Sequence, residues 1–312
     1  MPHYKFSIEF PSNKMSEIEY IADAIKDQKD FCAIVVIDPP WAEEHFTDDL
    51  FNLYSAKRVY VSVGEENIYR DGRPSMEMLR RHAFTAAEFS ATDWSIMTDG
   101  DLEYRKGAFD FIRETAQILD PLTDLHRPLC NLRGHFGSNH SLDNVVVAQN
   151  WPLGTNNGFL VHKSARRAYL ENPPPYTLGG CEDPMMASWL ALVCKCTPLY
   201  RFRSPIVHRK KSTEHYGQSF IHDKSVHKEN AFKVMRELWD EKYDSLGFKK
   251  SSVLWGGIPD NFDQSGKMTP EGRLSPYYPR AKKVIGALIG GFEIDRINDV
   301  LACRKSEVQK LK

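Results

Sequence analysis

Trp94 to Asp101 reads WSIMTDGD, an apolar stretch that runs straight into two aspartates separated by one glycine. The first residues have the character of a buried strand, and a strand delivers its C-terminal residues to the edge of a sheet, where α/β proteins place their ligands. Asp99 and Asp101, with no cation between them, form a hard-oxygen pair suited to Mg²⁺ or Mn²⁺ and, through the ion, to a diphosphate. The same triplet also fits a turn followed by a helix N-cap. Its neighbours along the chain carry the distinction.

On both sides of this stretch, strand and helix signals alternate. Tyr4–Phe10 reads as a strand closed by Pro11-Ser12-Asn13, and Met15–Lys29 as a helix with apolar Ile18, Ile21, Ala22 and Ile25. The β-branched run Phe31–Ile37 predicts a buried strand ending at Asp38-Pro39-Pro40. Arg58–Val63 is a further strand, and Ser75–Ala91 and Lys106–Leu119 are helices. This order predicts an α/β fold with a mainly parallel, doubly wound sheet flanked by helices. Beyond residue 120 the elements shorten: strands over Asn144–Gln149 and Gly158–His162, then helices near Pro184–Val193, over Ser225–Tyr243 and at the C-terminus. The expected organisation is a main domain over 1–214 and a basic helical and loop extension over 215–312.

Composition narrows the function. The longest apolar run, Val284–Phe292, contains three glycines and is too short to span a membrane. The opening MPHYKFSIEF has neither a basic n-region nor an apolar h-region, so a cytoplasmic protein is expected. Six cysteines show no paired CxxC spacing and are read as reduced, mostly buried thiols. The net charge of −1 hides an asymmetry: residues 201–312 hold 22 Lys+Arg against 14 Asp+Glu, whereas residues 1–200 hold 19 against 28. A basic rear third, including Arg201, Arg203, Arg209, Lys210 and Lys211, fits either a polyanionic partner or an ordinary solvated surface. No RNA- or DNA-binding motif is recognisable.

Taken together, residues 4 to 210 resemble the nucleotide-sugar-dependent glycosyltransferases of the GT-A fold, in particular the large family-2-like group. The resemblance assigns the nucleotide to the polar turn at Pro11, Ser12 and Asn13 and to Asp38 after the second strand. The helix before the metal strand reads RRHAF, so Arg81 is placed at the nucleotide, with His82 where that family carries asparagine. Asp99-Gly100-Asp101 matches the metal-binding triplet, TNNGFLVHKSA matches the glycine-containing strand beneath the donor sugar through Gly158, and GGCEDP matches the element that opens the acceptor-side helix. His208, in Ile206-Val207-His208, matches the late histidine that completes the metal shell.

That resemblance implies a Mn²⁺- or Mg²⁺-dependent transferase using a UDP- or GDP-sugar. Asp101 and His208 would hold the cation that offsets charge on the diphosphate leaving group, and Asp99 the ribose or the metal through water. Asp183, at a helix N-terminus that favours its ionised form, is the expected base for the acceptor hydroxyl, which makes the reaction inverting. Glu182 is expected to orient the acceptor. Glu182-Asp183-Pro184 also fits plain helix-start chemistry. The acceptor is a glycan or, given the basic rear third, a hydroxymethylated base in DNA. Nucleotidyl transfer ranks lower, because the first strand is followed by Pro-Ser-Asn-Lys rather than a Gly-rich basic loop. A sugar-nucleotide-binding module without activity is the non-enzymatic alternative.

Overall fold

The central strand has the sequence FSIEFP, in which Phe6, Ile8 and Phe10 face one side and Ser7 and Glu9 the other, all of them buried. Such a strand needs a layer on each face, and the rest of the chain supplies both. The computed structural model describes residues 3–64, 69–70, 73–74, 76–132, 145–147, 158–174, 182–201, 204–208, 237–238, 241–242, 244–245, 287 and 293–311.

In the first half the expected strands and helix appear, with two helices the sequence did not announce, α2 and α3, between the second and third strands: β1 (Phe6–Pro11), α1 (Met15–Ile25), β2 (Phe31–Ile37), α2 (Pro39–His45), α3 (Asp48–Ala56) and β3 (Val59–Val63). A small hairpin, β4 (Tyr69–Arg70) and β5 (Arg73–Pro74), leads to α4 (Met76–Phe89) and β6 (Trp94–Met97). The two prolines after Asp38 both stop β2 and start α2, because proline is tolerated in the first helical turn, where its missing N–H costs nothing. Then come β7 (Leu102–Tyr104), α5 (Ala108–Leu119), the short α6 (Thr123–His126) and β8 (Pro128–Asn131). β9 (Val145–Val147), β10 (Phe159–His162), α7 (Lys163–Glu171), α8 (Glu182–Leu192), β11 (Thr197–Arg201), β12 (Ile206–His208) and α9 (Glu293–Lys310) complete the described elements.

Eight strands form one sheet in the order β3-β2-β1-β6-β10-β8-β11-β9. Six run in the same direction; β10 is antiparallel to both of its neighbours, and β9 is antiparallel to β11. The mainly parallel α/β architecture expected from the sequence is therefore present. Helices α1 and α5 cover the face of Phe6, Ile8 and Phe10, where Phe6 stacks on Phe31 at 4.6 Å and Phe31 meets Phe109 edge-on. Helices α4, α7 and α8 cover the other face, with Phe84 and Tyr169 in T-shaped contact at 5.5 Å. A separate two-stranded sheet pairs β12 with β7 in antiparallel register.

The far edge is closed by α9. Ile294, Ile297, Leu301 and Val308 are buried in a helical stripe. Asn298 Oδ1 accepts the N–H of Val147 on edge strand β9 at 2.9 Å, and Arg304 donates to the carbonyl of Gln117 on α5. A helix over an edge strand satisfies ladder groups that would otherwise recruit another chain. The final helix of the expected extension thus shares the core of the sheet. The boundary expected at 214/215 and most of the helix expected over Ser225–Tyr243 lie outside the described residues.

Arg201 departs from the expectation of a solvated basic cluster. It is 1% exposed on β11, pairs with Glu114 at 3.3 Å and lies over the ring of Phe111 at 4.4 Å. Its strand, TPLYR, is buried throughout, so the guanidinium is internal and neutralised. Arg203 and residues 209–211 lie outside the described residues.

Docking of α9 predicts that Leu301→Ala lowers global stability by about 2–4 kcal/mol, the cost of a buried leucine cavity. Denaturant unfolding followed by far-UV circular dichroism measures it; a loosely attached tail would leave the midpoint unchanged.

Candidate active site

The connections from β1 run outward to β2 and β3, while β6 returns on the other side of β1. The direction of winding therefore reverses between β1 and β6, which opens a crevice at the carboxyl ends of these two strands. Register fixes what lies there. Glu9 pairs with Met97, and the N–H of Thr98 bonds to Glu9 O at 2.9 Å, so Pro11 and Ser12 end beside Asp99. The N–H of Ser12 reaches Val36 O at 3.0 Å, which brings the end of β2 and Asp38 to the same edge. Gly158 enters from the third side: its N–H bonds to Met97 O at 3.1 Å and its carbonyl accepts from Leu132. Its φ of +128° is a conformation that side chains with a Cβ resist, which accounts for glycine at this position.

Side chains at this edge are tied to one another. Asn13 and Asp38 bond reciprocally: Asn13 Nδ2 donates to the Asp38 carboxylate, and Asp38 N–H donates to Asn13 Oδ1 at 3.0 Å. Burial raises the Asp38 pKa, and the bond from Asn13 opposes that rise. Glu17, in the first turn of α1, accepts from Ser12 Oγ and from Lys14 Nζ. Its carboxylate lies directly over Gly100, where an added Cβ would fall 2.1 Å from Glu17 Oε2 and 3.3 Å from Phe10. The glycine of the triplet is thus the seat of Glu17, a contact the spacing of the aspartates did not reveal. A small cavity between α1 and the triplet is lined by Phe10, Glu17, Tyr20, Asp99, Gly100 and Tyr104.

Arg80 fixes the triplet from below. This side chain is 2% exposed, donates to the carbonyl of Thr98, and pairs with Asp99 Oδ1 at 2.6 Å. Arg81, expected from the sequence at the nucleotide, donates to the carbonyl of Pro174 beyond α7, at 3.1 Å. Adjacent helical residues point about 100° apart, so one of the two arginines faces the sheet and the other the neighbouring segment. His82 bonds to Ser62 Oγ at 2.8 Å.

The remaining expected residues are located by their backbone; the side chains of Glu182, Asp183 and His208 lie outside the described residues. In the β12–β7 pair, His208 stands opposite Leu102, the residue after Asp101. Glu182 and Asp183 begin α8, whose other end feeds β11 at the opposite edge of the sheet, so this N-terminus lies on the edge that carries Asp99. Among the described residues no group of three or more His, Cys, Asp or Glu is arranged to hold a metal ion. The donor chemistry nevertheless fits Mg²⁺ or Mn²⁺: two carboxylates on one loop, with the histidine backbone in register one residue away.

Beneath the site, the sheet carries a buried polar row. Ser7 Oγ donates to Glu9 Oε1 at 2.6 Å and lies 3.4 Å from Ser95 Oγ, which accepts from Arg166 at 2.6 Å. Arg166 continues to Thr92 O and to Glu88, which also holds Arg167. Burial raises the Glu9 pKa to about 7, against the pull of Arg166, Ser7, Ser95 and Arg80. Neither Glu9 nor Glu17 stood out in the sequence, the first because it is one polar residue in an alternating strand, the second because acids are ordinary in a first helical turn.

No protein-family model matches the chain, and no curated protein sequence matches it. Among solved structures the chain is similar to the crystal structure of S. aureus TarS 1–349, at 14% identity and a TM-score of 0.45, over 97% of this chain and 88% of that chain.

Two outcomes follow from these contacts. Gly100→Ala should displace Glu17 and cost about 1–2 kcal/mol through its lost hydrogen bonds, and the same change in a Glu17→Ala background should cost distinctly less; a double-mutant unfolding cycle reads the coupling. Because the folded pKa of Glu9 stands above its unfolded value of 4.5, its contribution to stability is full below pH 4.5 and is lost as pH rises through about 7. That loss is on the order of 3 kcal/mol, and Glu9→Gln should flatten this limb of the stability–pH curve.

Proposed function

We propose that the chain is a metal-dependent glycosyltransferase that moves a sugar from a nucleotide-sugar donor to an acceptor hydroxyl. The observation that carries this reading is the meeting of Ser12, Asp38, Asp99, Asp101 and Gly158 at the topological switch point between β1 and β6, with the backbone of His208 beside the triplet. A parallel α/β sheet binds its ligand there.

In this reading, the Asn13–Asp38 pair receives the base and ribose, since the carboxylate has one structured partner and lies at the mouth of β2. Asp99, oriented by Arg80, binds the ribose hydroxyls. Asp101 and His208 hold Mn²⁺ or Mg²⁺, which offsets the negative charge that grows on the leaving diphosphate. Gly158 leaves a bed without a side chain beneath the sugar. Asp183 takes the proton of the acceptor hydroxyl as that oxygen attacks, so the anomeric centre inverts; Glu182 beside it orients the acceptor. A glycan hydroxyl is the acceptor we assign, because the internal position of Arg201 removes one charge from the basic surface that a DNA backbone would need.

Purified protein with Mn²⁺ and a panel of UDP- and GDP-sugars should release nucleoside diphosphate by slow transfer to water. Asp101→Asn should abolish the release by loss of cation affinity. Asp183→Asn should keep donor binding but lose transfer by about 10²-fold or more. Normal transfer by Asp183→Asn would remove it as the base, and no release from any donor would remove the activity.

A further inference from the structure

Glu17 has no part in the chemistry above, yet its side chain touches both the turn after β1 and the aspartate triplet. On one side it accepts the Ser12 hydroxyl through Oε2, at 2.5 Å, and Lys14 Nζ through Oε1, at 3.3 Å. Ser12 Oγ in turn accepts the N–H of Lys14 at 3.1 Å, so the hydroxyl is engaged within the turn both as donor and as acceptor. On the other side, Oε2 of Glu17 occupies the space beside Gly100 that a Cβ would fill. The glycines with positive φ among the described residues are Gly107 and Gly158, not Gly100. Backbone conformation therefore does not demand glycine in the triplet; the Glu17 carboxylate does. A second contact comes from the same face of α1, where residues three apart are neighbours. Tyr20 accepts the N–H of Tyr104 through its hydroxyl at 2.9 Å. Glu17 and Tyr20 thus hold the two ends of the segment from Gly100 to Tyr104, which carries Asp101 and stands in register with the backbone of His208.

We infer that Glu17 is a positioning residue: its carboxylate locks the triplet loop against the Ser12 turn and so sets where Asp99 and Asp101 stand for a cation and the diphosphate it carries. This rests on the proposed transferase reading for its ligand, though not for its geometry. Arg80 fixes the Thr98 carbonyl and Asp99, whereas Glu17 fixes the next residue, the pivot between the two aspartates. Glycine has more backbone freedom than any other residue. An unseated Gly100 would let Asp101 sample several positions, and cation binding would have to order them. The Glu17 side chain is only 11% exposed, and its Oε2 is committed to Ser12 and Gly100. Glu17 therefore acts through the shape of the loop and the Ser12 bond, and not as a ligand of the cation.

The test has two arms on the full chain. In the first, ¹⁵N relaxation follows the amides of Gly100 and Asp101 in the ligand-free protein. Order parameters of about 0.85 in the natural protein should fall below about 0.6 in Glu17→Ala. Glu17→Gln keeps the shape and the bond from Ser12, loses only a part-exposed ion pair with Lys14, and should stay ordered. Equal order in the natural protein and in folded Glu17→Ala overturns the inference. In the second arm, electron paramagnetic resonance measures Mn²⁺ binding with UDP or GDP present. Glu17→Ala should weaken it about tenfold or more, the usual effect of removing a group that orients a metal ligand, and Glu17→Gln should stay close to the natural affinity. A Glu17→Gln as weak as Glu17→Ala would mean that the charge itself matters, which overturns the positioning role. So does a folded Glu17→Ala with the natural Mn²⁺ affinity. If the natural protein binds Mn²⁺ with neither nucleotide while Gly100 still loosens in Glu17→Ala, the transferase reading fails and the positioning of the loop stands.

Discussion

The position of β1 is the constraint from which the rest follows. Because the chain leaves this strand in one direction for β2 and β3 and comes back on its other side as β6, β1 is buried on both faces and bordered by parallel partners on both edges. Its hydrogen-bond ladder aligns three strand ends within one crevice, beside the polar turn after Pro11. Strands of this kind usually read as continuous apolar runs. β1 does so on its α1 face only; its α4 face is Ser7 and Glu9, and this is where the structure spends stability.

Two fully buried arginines and a buried glutamate are costly to desolvate, and an apolar replacement of such a set is often neutral or stabilising. The cost is limited by the details. Arg166 is met by Glu88, Ser95 and the Thr92 backbone, and Arg80 by the Thr98 carbonyl and Asp99. Arg80 thereby ties together the Thr98 carbonyl, just past β6, and the first carboxylate of the triplet, and Glu17 presses on the glycine from the opposite side. The loop is held between a cation below and a carboxylate above. Preorganisation of this sort lets a carboxylate present one orientation to a ligand instead of finding it on binding.

Much of this could be read from residues alone, and the exceptions share a cause. Phe31–Ile37 and Trp94–Met97 were legible because β-branched and aromatic runs bounded by turn residues admit few other structures. The triplet was legible because it follows such a run. The burial of Arg80 beneath the triplet was not, since it depends on which side of α4 faces the sheet, and no local signal in RRHAF decides it. Arg201 looked like part of a surface cluster because its partner, Glu114, is 87 positions away and only the fold brings them together. β8 and β11 were missed because they are short and their burial comes from neighbours in the sheet, not from their own periodicity. The contact of Glu17 with Gly100 joins two separate elements, which no spacing along the chain encodes.

The docking of α9 has a consequence for the chain between it and β12. His208 ends β12 beside the triplet, and residue 293 begins a helix fastened to the far edge of the same sheet. A sheet whose last strand is sealed by the C-terminal helix keeps its ladder groups satisfied whatever the length of the connection between residues 208 and 293, so the architecture that positions the triplet is separable from that connection.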